Sequence, residues 1–476
     1  MERYLDVFLN PRSVAVIGAS EKPGSWGSFI MEGLLSRKYP GKIYPVNRRS
    51  STIYALPTYP DIKAVPGAVD LAVFTIPEGS VEELIQECGV KGVKGITLIT
   101  AGFGEALEGG RAREEAMTRL ARSYGMRLLG PNVSGTFNLH ARFNASASPA
   151  EYLTATPLAA VCQGGYAIYD LLARGHAQRM GVGKFIHTGN ECDLQVTDFL
   201  EMYGEDPQVQ SILMYLETIR DGRRFLEVAR RIANDKPIIV HKAGRTPGGT
   251  RAARSHTGAI AGTKEVFQGI FEQVNMVPSP TMELLLPLGH AFIEHPPMKG
   301  KGVAIVTMGG SWGVALSDAL EEEGLSVPEL DQKIQAELRS LGMPVRASTR
   351  NPVDIGAAGF VNLSLDGVIQ MARLILSSPD IHALILYGFG RPGLVNEDTP
   401  PGRKLFLELE KQLMRSYCAL QQETAKPVIL GCCLSQWESQ GVFDLEQEGI
   451  RIHHRLDEIA RILSRMYGYW KRKQQG

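Results

Sequence analysis

KPIIVHKAGRTPGGTRAARSHTGAIAGT, residues 236–263, is the stretch on which the reading of this chain turns. Its opening, Pro237-Ile238-Ile239-Val240, is an unbroken apolar run, the pattern of a strand buried on both faces of a parallel sheet. Where the run stops come Gly244, Gly248 and Gly249, the cations Arg245, Arg251 and Arg254, and one imidazole, His256, between Ser255 and Thr257. A loop this rich in glycine and arginine brings backbone amides and fixed positive charge close to an anion. A histidine inside it is a candidate nucleophile towards phosphate, because neutral imidazole is available near pH 7. The plain alternative is a solvated basic loop with an incidental histidine, and the rest of the chain decides between them.

Outward from this stretch the same pattern recurs. Lys236–Val240, KPIIV, has a counterpart in Lys426–Leu430, KPVIL. Leu158–Val161, followed by Gln163-Gly164-Gly165 and a helical pattern over Tyr166–Arg174, matches Val303–Val306, Gly309-Gly310 and a helical pattern over Trp312–Glu323. Asp206-Pro207 before the run Ser211–Leu216 matches Pro379-Asp380 before Ala383–Tyr387. Two copies of one α/β unit are therefore expected, over 150–297 and 298–476. They differ in chemistry: the second KP strand leads into Gly431-Cys432-Cys433 and has no equivalent of His256. The end of the chain, Ile450–Tyr469, reads as a short strand and a closing helix with a basic, frayed tail.

Before these copies, residues 1–145 alternate short apolar runs with helical patterns. The runs fall at Ser13–Ile17, Lys42–Val46, Leu71–Ile76, Gly95–Thr100 and Met126–Leu129; the helical patterns include Ser80–Cys88 and Arg111–Tyr124. Such alternation predicts a doubly wound parallel sheet. The first run leads into Gly18-Ala19-Ser20 and Gly24-Ser25-Trp26-Gly27, a dinucleotide-type turn whose spacing departs from GxGxxG. The second strand ends in Asn47-Arg48-Arg49, arginines where an NAD site wants a carboxylate, so NADP and coenzyme A both suit the chemistry.

Composition narrows the class. The 476 residues are 44% hydrophobic, enough for two to four domains with sizeable cores. Lys+Arg and Asp+Glu are equal at 51 each, which argues against a general nucleic-acid or membrane-surface binder. Cys88, Cys162, Cys192, Cys418, Cys432 and Cys433 show neither metal-ligand spacing nor a secreted framework, so reduced thiols and a cytoplasmic location are expected, with no metal site. No secretory signal and no apolar run of membrane-spanning length is evident.

Three features converge on a phosphate ligand. Ligands of open parallel sheets sit at the carboxyl ends of the strands, where helix N-termini also point. Gln163-Gly164-Gly165 and Gly309-Gly310-Ser311 are expected there, gripping one anion from two sides with His256 between them. Glu217, just after the run Ser211–Leu216, is expected on the same edge, where a carboxylate can hold an imidazole tautomer and stabilise its cation. Asn132, in Gly130-Pro131-Asn132, is a turn residue with a possible polar contact to a cofactor. The other histidines, His187 and His241 among them, read as core or surface, Cys162 as a small buried residue, and Trp312 as packing at a helix start.

VAVIGAS (14–20), YPVN (44–47), ITAGFGE (99–105), GPN (130–132), KAGRT (242–246), SHTGAIAG (255–262) and NPVDIG (351–356) together resemble the NDP-forming acyl-CoA synthetases, the succinyl-CoA synthetase superfamily. Within it the chain is most similar to the α-subunit branch of acetate–CoA ligase (ADP-forming), over nearly its whole length and in the same order. The resemblance implies a Rossmann-like CoA-binding domain followed by two flavodoxin-like domains. It implies CoA phosphates over Gly18, Ala19, Ser20, Ser25 and Gly27 and over Asn47, Arg48 and Arg49. The pantetheine would pass Thr75, Ile76 and Pro77 and then Ala101, Gly102 and Phe103, with Asn132 nearby. His256 would be the phosphorylated nucleophile and Glu217 its carboxylate partner. The implied reaction is acyl-CoA + phosphate + NDP ⇌ carboxylic acid + CoA + NTP, through an acyl phosphate and a phosphohistidine. A non-catalytic CoA-binding regulatory protein is the competing expectation, and an NADP-dependent dehydrogenase a weaker third. No P-loop is evident in the chain, so ADP/ATP and Mg²⁺ are expected on an ATP-grasp β subunit, in a hetero-oligomer. Two departures stand out: Cys162-Gln163-Gly164-Gly165 replaces the family's Ser-Gln-Ser-Gly, and Asn47-Arg48-Arg49 its Asn-Pro-Lys.

Overall fold

The continuous apolar runs become buried parallel strands. The computed structural model describes residues 4–106, 109–165, 167–176, 178–257, 264–343, 345–356 and 364–475, with the side chains of 253–257 and 264 left aside. The first sheet contains β1 (Ser13–Ile17), β2 (Lys42–Val46), β5 (Leu71–Phe74), β6 (Gly95–Leu98) and β7 (Arg127–Leu129); β3 (Thr52–Ile53) and β4 (Leu56–Pro57) form a small ribbon beside it. Its order is β2-β1-β5-β6-β7, all parallel. Every residue of β1, β5 and β6 is buried, as strands covered on both faces require. The helices α1 (Trp26–Ser36), α2 (Val81–Lys91) and α3 (Gly110–Ser123) connect them.

The second sheet runs β14-β13-β12-β10-β11-β8-β9, from β8 (Gly135–Asn138), β9 (Phe143–Ser146), β10 (Leu158–Cys162), β11 (Lys184–His187), β12 (Ser211–Leu216), β13 (Ile238–Lys242) and β14 (Val277–Pro278). Around it lie α4 (Ala167–His176), α5 (Val196–Glu205), α6 (Gly222–Ala233), α7 (Pro247–Thr257) and α8 (Lys264–Gln273). The hairpin β8-β9 was not foreseen: it precedes residue 150 in sequence, yet pairs antiparallel with β11. After α9 (Leu285–Glu294), a third sheet, β16-β15-β17-β18-β19, is built from β15 (Val303–Thr307), β16 (Val353–Asp354), β17 (Ala383–Tyr387), β18 (Val428–Gly431) and β19 (Ile452–His453), with α10 (Gly310–Glu322) leaving β15.

Numbered by order of appearance, the parallel strands of each sheet run 2-1-3-4-5. The predicted repeat thus holds strand for strand between the second and third sheets. In this order the chain changes direction between its first and third strands, and the crevice there is where doubly wound sheets take ligands. The chain divides into two compact units, Met1–Gly289 with the first two sheets and His290–Gly476 with the third.

Within the first unit the two sheets share one apolar core, in which Val14, Val16 and Ile30 cluster with Val161, Ile186 and Phe199. Polar contacts fix their mutual register. The buried Asp193 carboxylate accepts from Arg122 at 2.5 Å, from Arg127 at 2.8 Å and from the Leu128 amide at 2.9 Å. The Asn190 amide donates to Glu105 at 2.5 Å and to Glu114 at 2.7 Å.

Three local expectations need correction. The strand predicted over Lys236–Val240 is displaced to Ile238–Lys242, so His241 and Lys242 are strand residues. The stretch predicted as a glycine-arginine loop is helical over Pro247–Thr257. Pro247 sits at the first helical position, Thr246 Oγ1 accepts from the Gly249 amide at 3.1 Å as a cap, and Arg251-Ala252-Ala253-Arg254 favour the helix; these outweigh the two glycines. The closing helix runs Leu456–Gln475, so it takes in the basic tail. Tyr166 lies outside the described residues, as do 258–262 of the SHTGAIAG stretch.

Candidate functional site

Both crevices of the first unit open at strand ends. At the end of β1, Gly18 has φ +93°, and a Cβ there would stand 2.8 Å from Thr75 Oγ1 at the end of β5. Thr75 Oγ1 in turn donates to the Ile17 carbonyl at 3.1 Å. Gly27, in the first turn of α1, is needed for close approach, since a Cβ would lie 2.2 Å from the Gly18 carbonyl oxygen. Ser25 caps α1 by accepting from the Ser28 amide at 3.2 Å, and Ser20 Oγ accepts from the Lys22 amide at 2.9 Å. Asn47 spans the turn: its amide donates to the Ala19 carbonyl at 2.8 Å and its Oδ1 accepts from the Arg49 amide at 2.7 Å. Asn47, Ser20 and Ser25 therefore shape the turn. Arg48 and Arg49 are exposed beside it.

A cavity of about 420 Å³ lies over this turn, lined by Gly18, Asn47, Arg48, Arg49, Ile76 and Pro77 among others. A second, of about 530 Å³, lies between the two sheets and shares Ile76 with the first. Its walls include Thr75, Thr100, Ala101 and Asn132 from one side and Gln163, Gly165, His187 and Asn190 from the other. Trp26, Phe29, Ile168 and Tyr169 give it an apolar flank. Asn132 has φ +63°, a left-handed turn conformation that asparagine tolerates, and its amide faces Asn190 Oδ1 at 3.4 Å. Phe103 and Gly102 line neither cavity: the Phe103 ring is buried beneath the Arg113 guanidinium, 4.8 Å from its centroid, and the Gly102 amide donates to Glu105.

The Gln163 side chain ties β10 to β12. Its Oε1 accepts from the Glu217 and Thr218 amides at 2.6 and 2.9 Å, and its Nε2 donates to the Thr218 carbonyl at 2.9 Å. Glu217 is thereby held at the end of β12, 8% exposed, its Oε1 only 3.2 Å from where a Gly164 Cβ would be. Gly165 is crowded by His187, whose Cε1 would stand 3.0 Å from an added Cβ. The Ser134 amide donates to His187 Nδ1 at 2.6 Å, so Nδ1 is the unprotonated nitrogen and Nε2 donates to the Gln163 carbonyl at 3.0 Å. Burial pushes the Cys162 thiol up to about 12, which keeps it an inert neighbour of the turn. Glu191, buried next to Asn190, has its carboxyl raised to about 7 by burial, against hydrogen bonds from Gln163, Thr188 and the Val196 amide.

His256 lies near the C-terminal end of α7, which follows β13; its side chain is outside the described residues. The turn Gly309-Gly310-Ser311 belongs to the other compact unit, where Gly309 caps α10 and Gly310 and Ser311 open it. A Cβ on Gly310 would stand 3.0 Å from Asp354 Oδ2, so a carboxylate already faces that helix N-terminus. Trp312 packs there against Tyr387, as its place at a helix start predicted.

His187, Asn190 and Lys242 were not picked out by the sequence reading. Each is recognisable only through partners distant in sequence, although KAGRT does mark Lys242. Among the described residues no His/Cys/Asp/Glu cluster suits a metal ion, and no helix is long and apolar enough to cross a membrane.

Comparison with known proteins agrees with this fold. Three family models match in succession: a CoA binding domain over 12–137, a succinyl-CoA ligase-like flavodoxin domain over 155–292 and a ligase-CoA domain over 303–430. The α subunit of acetate–CoA ligase (ADP-forming) II of Pyrococcus furiosus is 38% identical over 80% of this chain and 81% of its own length. The α subunit of the same organism's ligase I is 34% identical over 99% of both chains. The acetyl-coenzyme A synthetase 1 of Ca. Korarchaeum cryptofilum, solved with phosphate and ADP, superposes with a TM-score of 0.86 at 31% identity, covering 100% of this chain and 98% of that one.

Proposed function

This chain belongs to the family of the ADP-forming acetate–CoA ligase α subunits, and from that premise we propose how its acid–thiol ligase chemistry is laid out on these residues. It is a catalytic α-type subunit and not a CoA-binding regulator, because relatives that match 80% and 99% of its length are named as ligases.

One observation carries the reading. A cavity over the Gly18 turn and a cavity floored by Gln163 and Gly165 share Ile76 and so adjoin, which suits a ligand long enough to reach from one to the other. Coenzyme A is such a ligand. Its nucleotide end lies over Gly18, Ala19 and Gly27, where the α1 N-terminus and Arg48 and Arg49 face its phosphates. Its pantetheine passes Thr75, Ile76 and Pro77, then Ala101 and Asn132, and brings the thioester to the turn Gln163-Gly164-Gly165. Phosphate held at that turn attacks the thioester carbonyl; the carbon–sulfur bond breaks, and CoA leaves as the thiolate. The acyl group lies against Trp26, Phe29 and Tyr169. His256 then attacks the phosphorus of the acyl phosphate, the carboxylate leaves, and Glu217 stabilises the imidazole through the transfer. Phosphohistidine passes its phosphoryl group to ADP, held with Mg²⁺ on an ATP-grasp β subunit.

The partner follows from relatives that are themselves named α subunits. The purified chain, given acyl-CoA and labelled phosphate, is expected to form phosphoprotein and free CoA and to release no NTP when ADP or GDP is added. NTP synthesis by a verified single-chain preparation would sink the two-subunit arrangement.

The arginines give a second test. Arg48→Ala and Arg49→Ala are each expected to weaken CoA by about 1.5–3 kcal/mol, the range of a charge-assisted contact, and to weaken dephospho-CoA less. Isothermal titration with both ligands decides this, and an equal loss for both would mean that the arginines do not read the ribose phosphate.

A further inference from the structure

Lys242 is the last residue of β13 and is 3% exposed. A lysine so placed needs a reason, since an ammonium loses most of its hydration there. Its Nζ donates to the Glu217 carbonyl at 2.8 Å and to the Ala243 carbonyl at 2.6 Å, and lies 4.6 Å from the centre of the Phe267 ring of α8. The first of these bonds crosses from β13 to β12, beyond the last ladder pair, Leu216 and Lys242. It grips the residue whose carboxylate approaches the Gly164 turn. The Glu217 amide is already held by Gln163 at 2.6 Å, so the two sides of this one residue are clamped, its N–H from β10 and its C=O from β13.

We propose that Lys242 is a positioning residue for phosphoryl transfer, its ammonium fixing the backbone of Glu217 and supplying the positive charge against which the Glu217 carboxylate works. The inference rests on the reading that Glu217 serves His256. Lys242 does not touch the transferred group; it acts through Glu217. The clamp holds the strand end in one conformation, and the buried charge offsets a carboxylate that must stand close to an incoming phosphoryl dianion.

The described groups that act on the ammonium electrostatically are few. Glu217 favours the charged form, Arg245 beyond β13 opposes it, and His241 of β13 neighbours it, while α8 contributes the Phe267 ring. Burial is the largest influence and lowers the ammonium to about 8. The charged form therefore prevails at neutral pH and is lost as pH rises through that value.

Rapid-quench labelling of the whole chain with acyl-CoA and radiolabelled phosphate, from pH 6 to 10, tests the proposal. The unsubstituted chain should label fastest near neutrality and slow above about pH 8. Lys242→Arg keeps a charge that does not titrate in this range and should lose the alkaline slowing. Lys242→Met should label about ten- to a hundredfold more slowly at pH 7, with no alkaline limb and with unchanged affinity for CoA, less than the roughly 10²–10³-fold for removing a group that faces the developing charge itself. Unsubstituted labelling speed in Lys242→Met, or an alkaline limb that persists unmoved in Lys242→Arg, overturns the inference. Should Lys242→Met fail to fold, the Lys242→Arg profile still decides. Label retained by His256→Asn would instead overturn the phosphohistidine reading, whatever Lys242 does.

Discussion

His256→Asn, incubated with acyl-CoA and radiolabelled phosphate, should take up no acid-labile, base-stable label, and its ligase turnover should fall by at least about three orders of magnitude. An asparagine amide keeps much of the polarity of an imidazole but offers no lone pair able to displace a carboxylate from phosphorus. Asparagine is close to histidine in size and tolerated near a helix end, so the fold should be retained, as far-ultraviolet circular dichroism would show. CoA release from acyl-CoA and phosphate should survive in part, since the Gln163–Gly165 turn and the cavity proposed for CoA are untouched. Equal labelling of the variant and its parent would refute the phosphohistidine route.

Glu217→Gln should slow phosphohistidine formation by about ten- to a thousandfold, the range for losing one electrostatic partner of a transition state. Glutamine keeps the shape and the backbone clamp from Gln163 and Lys242 but removes the negative charge. The effect should therefore appear in the rate of labelling and not in the binding of acyl-CoA, since Glu217 lines neither cavity. Stopped assays at saturating and limiting acyl-CoA separate the two; an increase in KM with unchanged kcat would make Glu217 a binding residue and not the partner of His256.

What the sequence disclosed and what it hid follow from the range of the interactions. Gly18 and Gly27 were legible because their demands are local: one takes a positive φ, the other lies where any Cβ would strike the preceding turn. The strands β10, β12 and β17 were legible because burial on both faces leaves continuous apolar runs, and the repeat was legible because it repeats those runs in order. His187 was not, since its role depends on a Ser134 amide 53 residues away. Nor was Lys242, whose partner is the Glu217 carbonyl, 25 residues distant and chemically anonymous in sequence. Asn190 reaches Glu114 across 76 residues and between two sheets, and no spacing encodes that. The helix α7 was read as a loop for a different reason. Its glycines and arginines suit an anion-binding loop as well as a helix, and only the local signals of a helix start, Thr246 and Pro247, favour the helix.

That helix changes what kind of object the stretch after β13 is. Eleven residues of α-helix make a rod of about 16 Å, and His256 rides near its far end. The rod is joined to the sheet through Gly244, whose φ of +70° marks the bend between them. A rod has a moment arm that a floppy loop lacks. A rotation of about 20° at Gly244 would carry the far end through about 6 Å, roughly one helical pitch, without breaking a hydrogen bond inside the helix. The same stiffness makes the travel an arc and not a cloud: direction is set by the bend and amplitude by length. Lengthening or shortening α7 by one turn would then shift the histidine's radius by about 5 Å, changing its reach while leaving both the sheet and its chemistry as they are.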